Sequence, residues 1–173
     1  RIRSLSRGDE FERQLEIDET LVAQKVVQEI YDGVKTSELD ELSSQISIAM
    51  YSQNPDFKVL AGRIVVSNHH KNTLPTFGEK IQLFRSYEHQ GKVKPLIAKY
   101  LYDYVLLHKD RIESVIDYSK DYSYDFFGFK TLERNYLYQI DKRIVERPQD
   151  MLMRVSLSIY RDNIEDALKN YAL

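Results

Sequence analysis

The sequence predicts a mainly α fold: a helical bundle followed by a second helical region that carries one small β-hairpin. Apolar residues recur at the three- and four-residue spacing of helix faces over most of the chain. Gly, Pro and Asn cluster between those stretches and leave room only for short turns. Two extended runs on either side of Asp141-Lys142 give the single strand-like signal.

Taken in order, Arg1 to Ser6 reads as the tail of a helix with Gly8 as its stop, and the start on RIRSL without Met suggests a fragment. Glu19 to Tyr31 places apolar residues at 22, 26, 27 and 30 and stops at Gly33. A second helix opens over Thr36-Ser37-Glu38-Leu39-Asp40, where Ser37 and Asp40 have capping-box spacing. Leu39, Leu42, Ile46 and Met50 form its inner stripe. Asn54-Pro55 starts a third helix with Phe57, Leu60, Ala61, Ile64 and Val65 inward. These three helices with short turns predict a bundle over residues 1–72.

Lys71 to Pro75 is the expected boundary to a second region, residues 73–173. Thr76 to His89 is an amphipathic helix closed by Gln90-Gly91. Pro95 to Val115 alternates Tyr100, Tyr102 and Tyr104 as a strand would. Ile97, Leu101, Tyr104, Val105, His108 and Ile112 keep the helical period for longer, so helix is expected. Phe126, Phe127 and Phe129 surround Gly128, which predicts a turn that buries large rings. Thr131 to Tyr138, with apolar residues at 132, 136 and 137, is a short helix running into an extended piece. Tyr136 to Ile140 and Arg143 to Glu146 then flank Asp141-Lys142 as a hairpin, although Lys is a poor residue for positive φ. Pro148 suits the first turn of a helix with Met151, Leu152, Val155 and Ile159 as its apolar face. Ile164, Ala167, Leu168 and Tyr171 mark a last helix over Asp162 to Leu173.

Composition narrows the function classes. The 173 residues suffice for a real core, and 42% hydrophobic with 30% charged residues is ordinary for a globular protein. A formal charge of −2 argues against broad nucleic-acid or membrane binding. No run reaches the ~20 apolar residues of a membrane span, and the first residues lack a signal-peptide core, so a cytoplasmic location is expected. The chain has no cysteine, which excludes disulfides, thiolate metal sites and thiol catalysis within it.

Independent catalysis finds no support in the motifs. The carboxylates are scattered, no G-x-S-x-G elbow occurs, and neither a G-x-G-x-x-G loop nor a P-loop is present. His69 and His70 are adjacent on a helix, about 100° apart around its axis, and do not converge on a metal; one packed and one exposed ring is expected. His108 fits an inner face, and His89 sits near a helix end where imidazolium meets the dipole favourably. Phe127-Gly128-Phe129 superficially matches the aromatic strand of RNA-recognition domains, but no basic-Gly pair precedes it and its surroundings are helical. Tyr118, Tyr122 and Tyr124 read as packing or interface residues rather than radical carriers.

The order of several strings is more informative. RIVVSNHHK (63–71), HKDRI (108–112), DYSYDFFGFKTLER (121–134) and ERPQDMLMRVS (146–156) follow one another as in the large, catalytic subunit of class I ribonucleotide reductase. The chain resembles the N-terminal region of that family over nearly all its length, most weakly over Arg3 to Thr20 and Phe77 to Lys94. The family's radical chemistry runs through cysteines that this chain lacks. The resemblance therefore implies a regulatory and structural part, with catalysis on other polypeptide. It also implies partners: the remainder of the large subunit, other large subunits and the radical-generating small subunit. A non-enzymatic helical protein-interaction domain is the alternative.

Many large subunits of this family begin with an ATP cone, a module that senses ATP against dATP. YDGVKTSELDEL resembles the entry to the cone's second helix, and RIVVSNHHK its last helix. The match implies that Thr36, Asp40 and Lys71 contact the nucleotide effector. Chemically, Asp40 can accept from a ribose hydroxyl, Thr36 can hydrogen-bond at a helix start and Lys71 can pair with phosphate. Each also has a plain structural role open to it: a favourable first-turn charge, a cap and a solvated helix end. The cone's leading basic hairpin is not among these residues, so residues 1–72 are expected to be its helical part and to bind ATP or dATP weakly alone.

Overall fold

Two long helices joined by a six-residue loop set the geometry of the N-terminal half: α3 (Thr36–Ala49) and α4 (Asp56–Lys71). So short a connection forces neighbouring helices to run antiparallel, and α3 packs along α4. Asn54 ends the loop by accepting the Asp56 N–H at 2.9 Å. The computed structural model describes residues 1–8, 11 and 13–173. They divide into two units: Arg1–Lys71 with Asp121–Asn135, and Asn72–Lys120 with Tyr136–Leu173. The Phe-rich stretch thus returns to the first unit, where chain order alone had put it in the second.

In the first unit, α1 (Ile2–Arg7) and α2 (Glu19–Glu29) pack on the α3–α4 pair. Val22, Val26, Ile46, Met50, Phe57, Leu60 and Ile64 form the shared core, while Val27 and Ile30, expected inward, lie exposed. The first helix ends at Arg7 with Gly8 in extended backbone rather than the left-handed form. Arg63 is buried and ties down the N-terminal strand of chain, donating to the Leu5 carbonyl at 2.9 Å and the Arg13 carbonyl at 2.8 Å.

The expected turn at Phe126-Phe127-Gly128-Phe129 is instead the first turn of α8 (Phe126–Asn135). Asp125 causes this, its carboxylate accepting the Gly128 N–H at 2.7 Å as a helix cap would. Only Phe129 is fully buried, beside Val65 and Val66; Phe127 faces solvent. The glycine that the packing requires is Gly62 on α4. A Cβ there would lie 2.8 Å from the Tyr124 carbonyl oxygen and 3.1 Å from the Phe126 nitrogen.

The second unit contains α5 (Phe77–Ser86), α6 (Lys99–Leu107), α7 (Lys109–Val115), α9 (Pro148–Tyr160) and α10 (Ile164–Ala172). The predicted 95–115 helix is broken at His108, whose ring meets Tyr104 edge-on at 4.7 Å. Among the described residues two hairpins occur rather than one. β3 (Gln139–Ile140) and β4 (Arg143–Ile144) pair around Asp141 and Lys142, both at positive φ as a type I′ turn needs. β1 (Glu88–His89) and β2 (Lys92–Val93) turn the same way through Gln90 and Gly91, so His89 is on an exposed strand and not at a helix end.

Helix α9 presents a different face from the expected one. Met153 and Leu157 are buried, whereas Leu152, Val155 and Ile159 are exposed. Polar bonds fix this rotation. Asp150 accepts the Arg147 N–H at 2.8 Å and the Tyr118 hydroxyl at 2.6 Å, and pairs with Lys80 at 2.8 Å with both side chains wholly buried. Gln149 accepts from the Tyr171 hydroxyl at 2.8 Å, and Ser156 donates to the Ala167 carbonyl at 2.5 Å. Arg154 grips buried Glu146 through two nitrogens at 2.6 and 3.1 Å; burial pushes that carboxyl upward and the guanidinium pulls it back.

Two stability outcomes follow. Asp150→Ala removes the carboxylate that balances a buried lysine, and calorimetry should show a loss of about 3–5 kcal/mol. Gly62→Ala should cost about 1–3 kcal/mol, because the opposing atoms are backbone and cannot swing aside.

Candidate functional site

The antiparallel α3–α4 pair brings the start of one helix beside the end of the other. Asp40, one turn into α3, meets Lys71, the last residue of α4, with Nζ 3.4 Å from Oδ2. Arg1 adds a second cation: its guanidinium also pairs with Asp40 Oδ2, and its other terminal nitrogen donates to Ser67 Oγ at 2.7 Å. Asn68 donates to the Ser37 carbonyl at 3.3 Å and holds the two helix ends together. The Asp40 side chain keeps 12% of its exposure and Lys71 keeps 51%, so the cluster is rooted in the bundle and open on the Lys71 side.

Thr36 is the first residue of α3 and lies exposed, four positions before Asp40 and therefore on the same helix face. It is not the cap, and neither is Ser37. The capping position is Lys35, whose N–H donates to the Glu38 carboxylate at 3.2 Å. That amide is the chief reason the Glu38 carboxyl lies below its ordinary value, with the Tyr31 hydroxyl, 3.0 Å away, adding to it. The same contact raises the Tyr31 hydroxyl.

Thr36, Asp40 and Lys71 therefore share one end of the first unit. Arg1 and Ser67 belong to the cluster as well, and no motif or spacing pointed to them. They lie 39 and 27 residues from Asp40, and only the folded bundle brings them in. The chemistry on offer is recognition: cations suited to phosphate and a carboxylate suited to a hydroxyl, with no nucleophile and base paired for reaction.

The histidines do other work. His69 is buried against Phe129 at 5.2 Å. His70 also packs, with its Nε2 2.7 Å from the buried Asp121 carboxylate and its ring against Tyr122, so neither of the two is the exposed ring that was expected of one of them. Among the described residues no group of three His, Asp or Glu side chains is placed to hold a metal ion. No helix of these residues is long and apolar enough to cross a membrane.

Comparison with known proteins bears on the same residues. The family described as "Ribonucleotide reductase, all-alpha domain" matches residues 122–173. The ribonucleoside-diphosphate reductase large subunit of Plasmodium falciparum (isolate Dd2) is 48% identical over 158 residues, which is 91% of this chain. The chain matches the N-terminal region of ribonucleotide reductase large subunits. The Dictyostelium discoideum large subunit is 48% identical over 159 residues and 90% of the chain, and that of Vaccinia virus (strain Copenhagen) 46% over 159 residues and 91%. The chain spans about one fifth of the length of these relatives: 20%, 18% and 21% in turn. The family match at 122–173 takes in α8, the second hairpin, α9 and α10.

The start of α3 should be acid-sensitive. A carboxyl lowered in the folded state contributes stability above its unfolded value, near pH 4.3. That contribution is lost as pH falls through the lower folded value. The Lys35 amide shift in NMR should therefore titrate with a midpoint below the ordinary Glu value, and Glu38→Gln should abolish the titration.

Proposed function

We propose that this chain is the effector-sensing and supporting part of a ribonucleoside-diphosphate reductase large subunit. The reduction of ribonucleotides to deoxyribonucleotides takes place on polypeptide outside it. The identity of 48% to large subunits over nine tenths of the chain carries this reading. The lack of any cysteine in the chain fits a role beside the chemistry rather than in it. Its working partners on this reading are the remainder of the large subunit, other large subunits and a radical-generating small subunit, in the cytoplasm.

Residues 1–72 act in this reading as the helical part of an ATP cone, with ATP or dATP bound at the end of the α3–α4 pair. Lys71 and Arg1 face the phosphates, Asp40 accepts from the ribose, and Thr36 bonds at the opening of α3. The convergence of Asp40 and Lys71 from separate helices supports the assignment. A ligand there competes with an existing ion pair, so its net affinity is the difference between the two sets of contacts. The non-enzymatic interaction domain has only the helical scaffold in its favour.

Isothermal titration of the full-length large subunit with ATP and dATP tests the site. Asp40→Asn should weaken both nucleotides about ten- to a hundredfold, the value of a hydrogen bond to a charged group. Lys71→Ala should weaken them further as salt is lowered, where phosphate pairing counts most. Unchanged affinity in both variants would remove the site from this end of the bundle.

A further inference from the structure

Helix α9 is apolar on two sides. Its inner side sets Met153 and Leu157 among Phe77, Ile81, Phe84, Leu101, Ile112 and Leu168. Its outer side carries Leu152, Val155 and Ile159, which are 37%, 42% and 63% exposed. Their spacing of three and four residues makes one continuous ridge along the helix. Meanwhile the polar Gln149, Asp150 and Ser156 are buried. A helix at a water boundary carries polar residues outward; one that is apolar all round lies between two layers.

We propose that the Leu152–Val155–Ile159 ridge is the docking surface for large-subunit polypeptide beyond α10. The occupant is an apolar, uncharged element, because the ridge offers branched aliphatic side chains and no charged group between Leu152 and Ile159 except Arg154, which is held by Glu146. Two observations favour the same chain as its source. The relatives are about five times longer than this chain, so a large polypeptide is available in the same molecule. The last turn of α10 meets the first turn of α9 through the Tyr171–Gln149 bond, so on that reading polypeptide following α10 leaves near the end of α9 where the ridge begins at Leu152. The inference rests on the reading of the chain as part of a large subunit.

Cysteine accessibility in the full-length large subunit tests it. An Ile159→Cys variant is alkylated with iodoacetamide in native buffer and in urea, and the site is quantified by peptide mass spectrometry. Native labelling should be slower than unfolded labelling by about tenfold or more, unchanged on dilution. A native rate within about twofold of the unfolded rate would overturn the proposal. So would protection that disappears on dilution, since a second copy would then be the cover. A protein that reduces ribonucleoside diphosphates yet labels freely would sink the docking surface and leave the family reading intact. A natural polypeptide ending at Leu173 would overturn both.

Discussion

The antiparallel contact between α3 and α4 is the constraint on which the first unit depends. A loop of six residues leaves the two helices no other arrangement, and every feature of that unit is placed by it. One side of α4 supplies Phe57, Leu60 and Ile64 to the core shared with α2 and α3. Another supplies Gly62, Val65 and Val66, against which residues 124–129 close down. The end of α4 then falls beside the start of α3, and there the charged cluster forms. Packing decides where the charges meet, and the charges refine an arrangement already made.

The second unit inverts that relation. Around α9 the polar contacts choose which side of the helix turns inward. Asp150 is held by the Arg147 amide, the Tyr118 hydroxyl and the Lys80 ammonium, all from different parts of the unit. Buried pairs of this kind add little net stability over apolar packing, yet they penalise any alternative rotation heavily. A helix that is apolar on two sides has no hydrophobic reason to prefer one of them as its inner face. The polar anchors supply it.

Much of this was legible in the sequence. The helix positions for α2, α3, α4, α9 and α10 follow from three-to-four spacing, and Phe57, Leu60, Ala61, Ile64 and Val65 are buried as their period requires. The second hairpin was legible from its flanking runs even though Lys142 sits at positive φ. What failed had physical reasons. Gly128 read as a break because glycine tolerates turns, yet a cap at Asp125 makes the same stretch helical. The first hairpin has strands of two residues, too short to show any period. The face of α9 was misread because hydrophobicity alone cannot rank two apolar sides, and the Asp150 network lies 70 residues from Lys80 in sequence. Of the charged cluster, Asp40 and Lys71 came from family resemblance; Arg1 joins only through a contact 39 residues apart.

The two units consequently suit different tasks on the proposed reading. A surface that reports on a ligand needs charges that can change partners at modest cost, and the Asp40 cluster is only partly buried, so water softens each exchange. A surface that bears on a neighbouring domain needs the opposite: a fixed rotation that keeps one set of side chains pointing outward. The fully buried Lys80–Asp150 pair gives α9 that rigidity, since turning the ridge away would strip a buried charge of its balance. Regulation and support are thus separated by dielectric environment. The adjustable charges sit near water, and the charges that hold the ridge in place sit where water does not reach.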